Sequence, residues 1–247
     1  MSSPISIIHS YSRPEAFNMG DVLVRSWQVL TRNLLTFLLL CSLAELPSLI
    51  ISLAMHPKIG QLSWTQAFAG ILKFILQSLA QAMVVYAAFQ DLRGRKVSAS
   101  ESLSHGLSQL LSVIGLSILV GLAVGLGMIL LLIPGLIALT AFSVALPACV
   151  VERDGPSSSM SRSRLLTSGH RWPIFWVALA MAVISYIVTF LIMTALTSTN
   201  YVTTTVVTWV WTTLLLSFQS VYAAILYHDL RAVTEGVGIE EIAAVFD

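Results

Sequence analysis

The segment that decides the fold is "LLSVIGLSILVGLAVGLGMILLL", which occupies residues 110–132 and contains no charged residue. An α-helix rises about 1.5 Å per residue, and about 20 mostly apolar residues are needed to cross the hydrocarbon core of a bilayer. The segment has the length and the composition of such a helix. It therefore predicts a membrane-spanning α-helix.

The composition of the whole chain agrees with that prediction. Of its 247 residues, 56% are hydrophobic and only 10% are charged, with a mean hydropathy of +0.85. A soluble domain carries about 25% charged residues, and a chain this apolar could not cover a water-exposed surface. The composition indicates an integral membrane protein. The net charge of +1 gives no electrostatic reason to expect binding to nucleic acid.

Five further apolar runs have the length of a membrane span or close to it: 34–54, 67–89, 136–151, 173–196 and 202–227. We therefore predict an all-α, polytopic membrane protein whose six transmembrane helices form three hairpins. The fourth run is short, about 24 Å, and follows Pro134-Gly135, where we expect helices three and four to turn. A five-helix alternative joins residues 110–151 into one broken segment, but it puts the flanking charges on conflicting sides.

The whole chain, residues 1–247, is predicted to be a single integral membrane domain. Residues 1–33 would form a cytoplasmic or interfacial N-terminal segment. Residues 34–227 would form the six-helix bundle, and residues 228–247 a cytoplasmic tail.

The basic residues predict the orientation of the chain. With six spans and a cytoplasmic N-terminus, eleven of the 13 Lys and Arg residues fall on the cytoplasmic side. This bias is the positive-inside rule, and it places both termini in the cytoplasm. Basic side chains at this interface attract anionic lipid headgroups, at about 1 kcal/mol each. The candidates are Arg25, Arg32, Arg93, Arg162, Arg164, Arg171 and Arg231.

Short motifs recur about 137 residues apart along the chain, an offset read from the residue numbers. Arg-Ser followed by Leu-Thr occurs at residues 25–31 and 162–167, and Tyr-Ala-Ala followed by Asp-Leu-Arg occurs at 86–93 and 222–231. These matches predict two copies of one hairpin in equal orientation, although short motifs also match by chance. The segments before helices one, three and five are expected to form short interfacial helices, with Trp27 at headgroup level, or ordinary loops.

A polar stripe runs along the second predicted helix. Lys73, Gln77 and Gln81 recur at steps of four and share one helical face. A charge at mid-bilayer costs about 2.5–3.5 kcal/mol, so we expect Glu45 of helix one to pair with Lys73. Gln219 of helix six extends this predicted spine. Its role is either an ion, proton or solute pathway or structural hydrogen bonding between helices, and Lys73 could instead extend outward to the interface.

A second pattern lies on the third predicted helix. Ser117, Gly121 and Gly125 form a ridge of small residues spaced by four. Such ridges let helix backbones approach closely. We expect this ridge to pack against helix four or against another copy of the chain.

No motif points to catalysis. The five histidines lie on separate segments, and the chain lacks HExxH, GxSxG and a phosphate-binding loop. The two cysteines have no metal-ligand spacing. We therefore predict no enzyme activity, no catalytic or metal-ligating residue and no cofactor.

One long segment carries a family resemblance. Residues 133–175 read "IPGLIALTAFSVALPACVVERDGPSSSMSRSRLLTSGHRWPIF", and the tail at 227–247 reads "YHDLRAVTEGVGIEEIAAVFD". Both resemble the YciC-like bacterial inner-membrane proteins and the related membrane domain that some bacteria join to a glycerophosphodiester phosphodiesterase. The shared features are Pro134-Gly135, Leu146-Pro147, residues 150–152, residues 161–167 and the Asp-Leu-Arg of the tail, with Gly238 where Asp is common.

The resemblance implies a six-span protein of the bacterial inner membrane, and it implies no catalytic residue. The leading hypothesis is a non-enzymatic scaffold or accessory subunit in envelope, lipid or export processes, with a membrane protein or a second copy as partner. The alternative is a small transporter or permease-like unit that uses the polar spine. A membrane-bound enzyme of lipid metabolism is the weakest hypothesis.

Overall fold

The computed structural model describes residues 17–54 and 64–235, and the regular elements within those ranges are all helices. Six segments there are long and apolar enough to cross a membrane, which confirms the all-α class and the six apolar helices. The helices are α1 (Met19–Arg32), α2 (Leu34–Ala54), α3 (Trp64–Leu92), α4 (Ala99–Ser108), α5 (Leu110–Leu130), α6 (Leu132–Ala141), α7 (Ala145–Glu152), α8 (Pro156–Leu166), α9 (Arg171–Ala195) and α10 (Tyr201–Glu235).

The buried core lies at one end of the bundle. The buried side chains of α3 lie between residues 78 and 90, and those of α10 between residues 213 and 230. The short helices α1 and α4 and the half-span α7 pack around these two segments. Along α9, by contrast, Ile174 is the one buried residue. Apolar side chains exposed on such a helix cost nothing in lipid, so the bundle needs protein packing only at its core end.

The segments that precede α2, α5 and α9 form the helices α1, α4 and α8. Asn18 caps α1 by accepting a hydrogen bond from the Gly20 amide at 2.9 Å. In α1 the buried face contains Val22 and Leu30, whereas Trp27 is 60% exposed. Ser26 belongs to the same buried face, and helix α10 packs against α1.

The turn between α5 and α6 consists of Leu131 alone, in extended conformation. The predicted turn at Pro134-Gly135 is wrong, since Pro134 is the third residue of α6. Proline is tolerated there because the first helical turn leaves its amides without acceptors. A Cβ on Gly127 would lie 2.8 Å from the Gly135 Cα, so the two backbones are in contact.

The fourth span is broken into α6 and α7 by a turn at residues 142–144. The single helix predicted over 136–151 is therefore wrong in its start and its continuity. Pro147 explains the break, because a proline ring clashes with the carbonyl four residues earlier, which here belongs to Ser143. The two halves pack differently: α6 contacts α5 and α9, whereas α7 contacts α3, α5, α8 and α10.

One predicted boundary does not coincide with a helix end. Helix α10 continues without a break to Glu235, so residue 227 lies inside it and residues 228–235 are helical. The rest of the predicted tail (236–247), residues 1–16 of the N-terminal segment, and residues 55–63 with Lys58 lie outside the described residues.

Candidate functional site

A cavity of about 460 Å³ lies between α3, α5 and the broken fourth span. Helix α3 contributes Gln77, Ser78 and Gln81, helix α5 contributes Ser117, and the turn between α6 and α7 contributes Ser143. Its volume is in the range of small-molecule sites, about 300–1,000 Å³. The remaining wall is made by Phe74, Leu116, Val120, Gly121, Val124, Leu139, Phe142, Ala145 and Leu146.

Several polar groups of this cavity are not used by the protein itself. Within residues 17–54 and 64–235, no hydrogen bond is made by the side chains of Gln77 and Gln81, and the buried hydroxyl of Ser143 has no partner. Ser78 donates to the Phe74 carbonyl at 2.9 Å and to the Ser117 hydroxyl at 3.3 Å. The cavity therefore presents two amides and a hydroxyl that are free to bind a guest.

The helical spacing and the helix break together place these groups. Gln77 and Gln81 are four residues apart, so they lie on one face of α3. Ser143 lies in the turn where the helix is interrupted, and the Ala141 carbonyl freed there accepts from Ser163 of α8 at 2.8 Å. The polar groups of the turn are thus either satisfied within the chain, as the Ala141 carbonyl is, or line the cavity, as Ser143 does.

The predicted polar spine is not continuous. Gln77 and Gln81 line the cavity, but Lys73 and Gln219 are exposed and are absent from its wall. Glu45 lies apart from the cavity, 6% exposed, on the face of α2 that packs against α10. Sequence spacing correctly placed Gln77 and Gln81 on one face of α3, but it could not show that the cavity wall would not include Lys73.

The predicted ion pair between Glu45 and Lys73 is not made as a salt bridge, although the Lys73 charge acts on the Glu45 carboxyl group. The Oε2 atom of Glu45 accepts from the Ser48 hydroxyl at 2.9 Å, and its buried Oε1 atom has no partner in the part of the chain described. Trp209 of α10 donates to the Glu45 carbonyl at 3.4 Å. Ser48 lies one turn away on the same helix, so little conformational entropy is lost when its hydroxyl bonds to Glu45. Lys73 instead keeps its ammonium group at an exposed position.

The predicted small-residue ridge is divided in the same way. Ser117 contacts α3 through Ser78, but a Cβ added to Gly121 or Gly125 would meet no atom within 4 Å. Packing of these two glycines against helix four is therefore wrong. The close contact between α5 and α6 is made by Gly127 and Gly135, which lie four residues before and after Leu131. The equal spacing of these two glycines from the turn is the feature of the sequence that could have indicated the contact.

Four of the seven predicted interface arginines form ion pairs with carboxylates of the chain. Arg162 donates to Glu152 at 2.7 Å and also to Glu235, which Arg231 contacts at 2.7 Å. Burial alone would lower the pKa of Arg162, but its hydrogen bonds to Glu235 and Glu152 outweigh burial and raise that pKa. The other pairs are Arg25 with Asp229 and Arg32 with Asp91.

These ion pairs clamp the core end of the bundle. Glu152 closes α7, Arg162 lies on α8, and Glu235 is the last residue of α10, so one guanidinium joins three helices. Tyr227 donates to Glu152 at 2.5 Å. The remaining predicted arginines differ: Arg93 and Arg164 are exposed, and Arg171 is half-buried.

His105 of α4 forms a cluster that the sequence did not indicate. Its ring stacks on Tyr86 at 4.0 Å, Nε2 lies 3.2 Å from the Val150 carbonyl, and Nδ1 lies 3.0 Å from Arg153. Because arginine can only donate, Nδ1 is the acceptor and Nε2 carries the proton. Burial first, and the Arg153 charge second, lower the pKa of His105 against the opposing hydrogen bond to Val150.

Comparison with known proteins adds a family to this geometry. In the described part of the chain, no three His, Cys, Asp or Glu residues lie close enough to hold a metal ion. No curated protein and no solved structure matches the chain. A family described as a domain of unknown function (DUF7847) matches residues 99–230, more than half of the chain and all of α4 to α9. The chain belongs to this family.

Proposed function

We propose that the chain is a non-enzymatic, six-span membrane protein that binds an uncharged, hydrogen-bonding solute in the cavity, as a small permease-like unit. The observation that carries this proposal is the set of unused polar groups on Gln77, Gln81 and Ser143 around one cavity. Amides offer both donors and acceptors, so the site suits a polyol or a small amide.

The chemistry of the wall argues against an ion as the guest. No charged side chain of residues 17–54 or 64–235 lines the cavity, and Glu45 and Lys73 lie outside it. An ion placed among apolar groups without a counter-charge loses its hydration and gains too little in return. A neutral solute loses less, since Gln77, Gln81 and Ser143 offer hydrogen bonds in place of those to water.

Solute flux tests this proposal. Full-length protein in liposomes is exposed to a glycerol or urea gradient, and the recovery of liposome volume is followed by light scattering. We expect the Gln77→Leu/Gln81→Leu variant to slow glycerol entry roughly thirtyfold, since two hydrogen bonds of about 1 kcal/mol each are lost. Gln219→Leu, which replaces an exposed glutamine of α10, is the matched control and should behave as the wild type.

Two results would overturn the proposal. One is glycerol and urea entry no faster than in empty liposomes. The other is equal rates for the double variant and the Gln219→Leu control, which would make the cavity a hydrated packing void.

We further propose that the chain lies in a bacterial inner membrane with both termini in the cytoplasm, as in the YciC-like proteins. Supporting this orientation, the predicted cytoplasmic arginines Arg25, Arg32, Arg162 and Arg231 all meet carboxylates at the core end of the bundle. A reporter that fluoresces only in the cytoplasm, fused to either terminus, should be active. An inactive C-terminal fusion contradicts the even number of crossings.

We propose three hairpins with an internal repeat within this topology. In support, α1, α4 and α8 each precede a pair of apolar segments. The ion pairs are not repeated, because Arg25 pairs with Asp229 whereas Arg162 pairs with Glu152 and Glu235. A repeat that had diverged in this way would keep its helix order and lose its side-chain symmetry.

A scaffold or accessory subunit is the second candidate. It is favoured by the open space at Gly121 and Gly125 and by the exposed surface of α9, which a second copy or another membrane protein could cover. Native mass spectrometry in mild detergent should then show a complex that Gly125→Leu disrupts. A monomer without bound protein in wild type removes this candidate.

A further inference from the structure

We propose that the groove between α6 and the start of α9 holds one anionic phospholipid of the membrane, with its phosphate on Arg171 and an acyl chain along α6. This site is separate from the solute cavity and does not depend on it. Three features carry the proposal: the unpaired guanidinium of Arg171, the apolar groove beside it, and the start of α9, which has no side-chain cap.

Arg171 stands apart from the arginines that are paired within the chain. In the described ranges it forms no ion pair, and its Nε atom is fully buried without a hydrogen-bond acceptor. A buried hydrogen-bond donor without an acceptor costs free energy, and the cost is larger when the group is charged. Since the residues that the structure describes supply no carboxylate here, an acceptor of negative charge from outside would satisfy the guanidinium.

The groove next to Arg171 has the shape and polarity of an acyl-chain site. It measures about 470 Å³ and is lined on α6 by Ile133, Leu136, Ile137 and Thr140. These residues are spaced three or four apart, so they lie on one helical face. A run of this length covers about 10 Å, or one-third of the hydrocarbon core.

Helix α9 forms the other wall of the groove, which is polar at one end and apolar at the other. Thr167, just before α9, donates to the Ala141 carbonyl at 3.4 Å, so Arg171 lies at the Thr140 end of α6. Phe175, one turn further along α9, faces the apolar part. A guest in this groove would thus meet a positive charge at one end and hydrocarbon along the rest.

The start of α9 adds a second attraction for a phosphate. His170, its N-cap residue, makes no side-chain cap, so the amides of Arg171 and Trp172 remain available, whereas Pro173 has none. The positive end of this 25-residue helix favours an anion at the same place. Trp172, 72% exposed, has the amphipathic ring that is enriched at headgroup depth.

Native mass spectrometry of the full chain tests this site. Purified protein in mild detergent is titrated with phosphatidylglycerol, with phosphatidylcholine, and with inorganic phosphate alone. We expect one phosphatidylglycerol per chain bound in preference to phosphatidylcholine, and no retained free phosphate. Arg171→Gln should weaken binding at least tenfold, equivalent to about 1.4 kcal/mol. Arg164→Gln, an exposed arginine of α8 that lies outside the groove, is the matched control.

A second variant tests the apolar groove without changing the charge of Arg171. Ile137→Trp fills the groove and should displace the lipid while Arg171 is retained, and circular dichroism checks that each variant is folded. The proposal is overturned by equal affinity for the two lipids, by equal losses in Arg171→Gln and Arg164→Gln, or by a folded Ile137→Trp variant that binds phosphatidylglycerol as the wild type does. Retention of phosphate alone would mean an anion site without a lipid, which is also contrary to the proposal.

Discussion

Replacing Gly135 with alanine tests how closely α5 and α6 are packed. The new Cβ would lie 2.5 Å from the Met128 Cγ and 2.6 Å from the Met128 backbone nitrogen. The Met128 side chain can rotate away from the new methyl group. Its backbone nitrogen cannot, because it belongs to α5, so the two helices must separate.

The magnitude follows from two opposing terms. Overpacking costs about 1–3 kcal/mol, and a contact with backbone places this site near about 3 kcal/mol. Alanine gains about 1 kcal/mol over glycine in a helix, which leaves a net loss of about 2 kcal/mol. In a domain of this size each kcal/mol changes Tm by about 2–4 °C, so we expect Tm to fall by roughly 4–8 °C.

The assay is thermal unfolding of the full chain in dodecyl maltoside, followed by intrinsic fluorescence of its six tryptophans. Gly121→Ala is the matched control, since its Cβ would meet no atom within 4 Å and should leave Tm unchanged or raise it. If Gly135→Ala and Gly121→Ala change Tm alike, the packing at the Leu131 turn is not as described.

Three further side chains give predictions of different sign. The pKa of His105 is lowered, so folding resists its protonation and Tm should fall as the pH drops below about 6.5, the pKa of an unfolded histidine. His105→Gln should remove part of that fall between pH 7.5 and 5.5, and an unchanged profile contradicts the assignment. Ser143→Ala should raise the free energy of unfolding by about 1 kcal/mol in detergent without solute, because it removes an unpaired buried hydroxyl, whereas a decrease would mean that the hydroxyl has a partner. Arg162→Gln should lower the free energy of unfolding by about 1.5–3 kcal/mol in thermal or SDS-induced unfolding, and Arg164→Gln by less than about 0.5 kcal/mol. Equal effects would mean that the ion pairs of Arg162 with Glu152 and Glu235 do not stabilise the bundle.

The apolar helices could be predicted because the bilayer sets a length that the sequence must match. The first predicted span, 34–54, has the bounds of α2, and the third, 110–132, ends two residues beyond α5. The break in the fourth span was missed although Pro147 lies inside the predicted helix. Pro47 shows why proline alone is an ambiguous signal, since α2 continues through it.

The candidate site could be predicted only in part. The spacing of Gln77 and Gln81 correctly places both on one face, and that face lines the cavity. Ser143 could not be found this way, because its position depends on where two halves of a span separate. Lys73 and Glu45 carry long side chains whose partners depend on tertiary packing, and hydropathy carries no information about that packing.

The turn at residues 142–144 joins two half-helices that are held by different neighbours. Both halves contact α5, but α6 also contacts the sparsely packed α9, whereas α7 contacts α3, α8 and α10. A tilt of α6 about this joint would change the width of the cavity beside Gln77 while α7 stays in place. If the cavity binds a solute as we propose, such a tilt would move the wall of the site at Ser143, so binding and release of the solute would depend on the same joint.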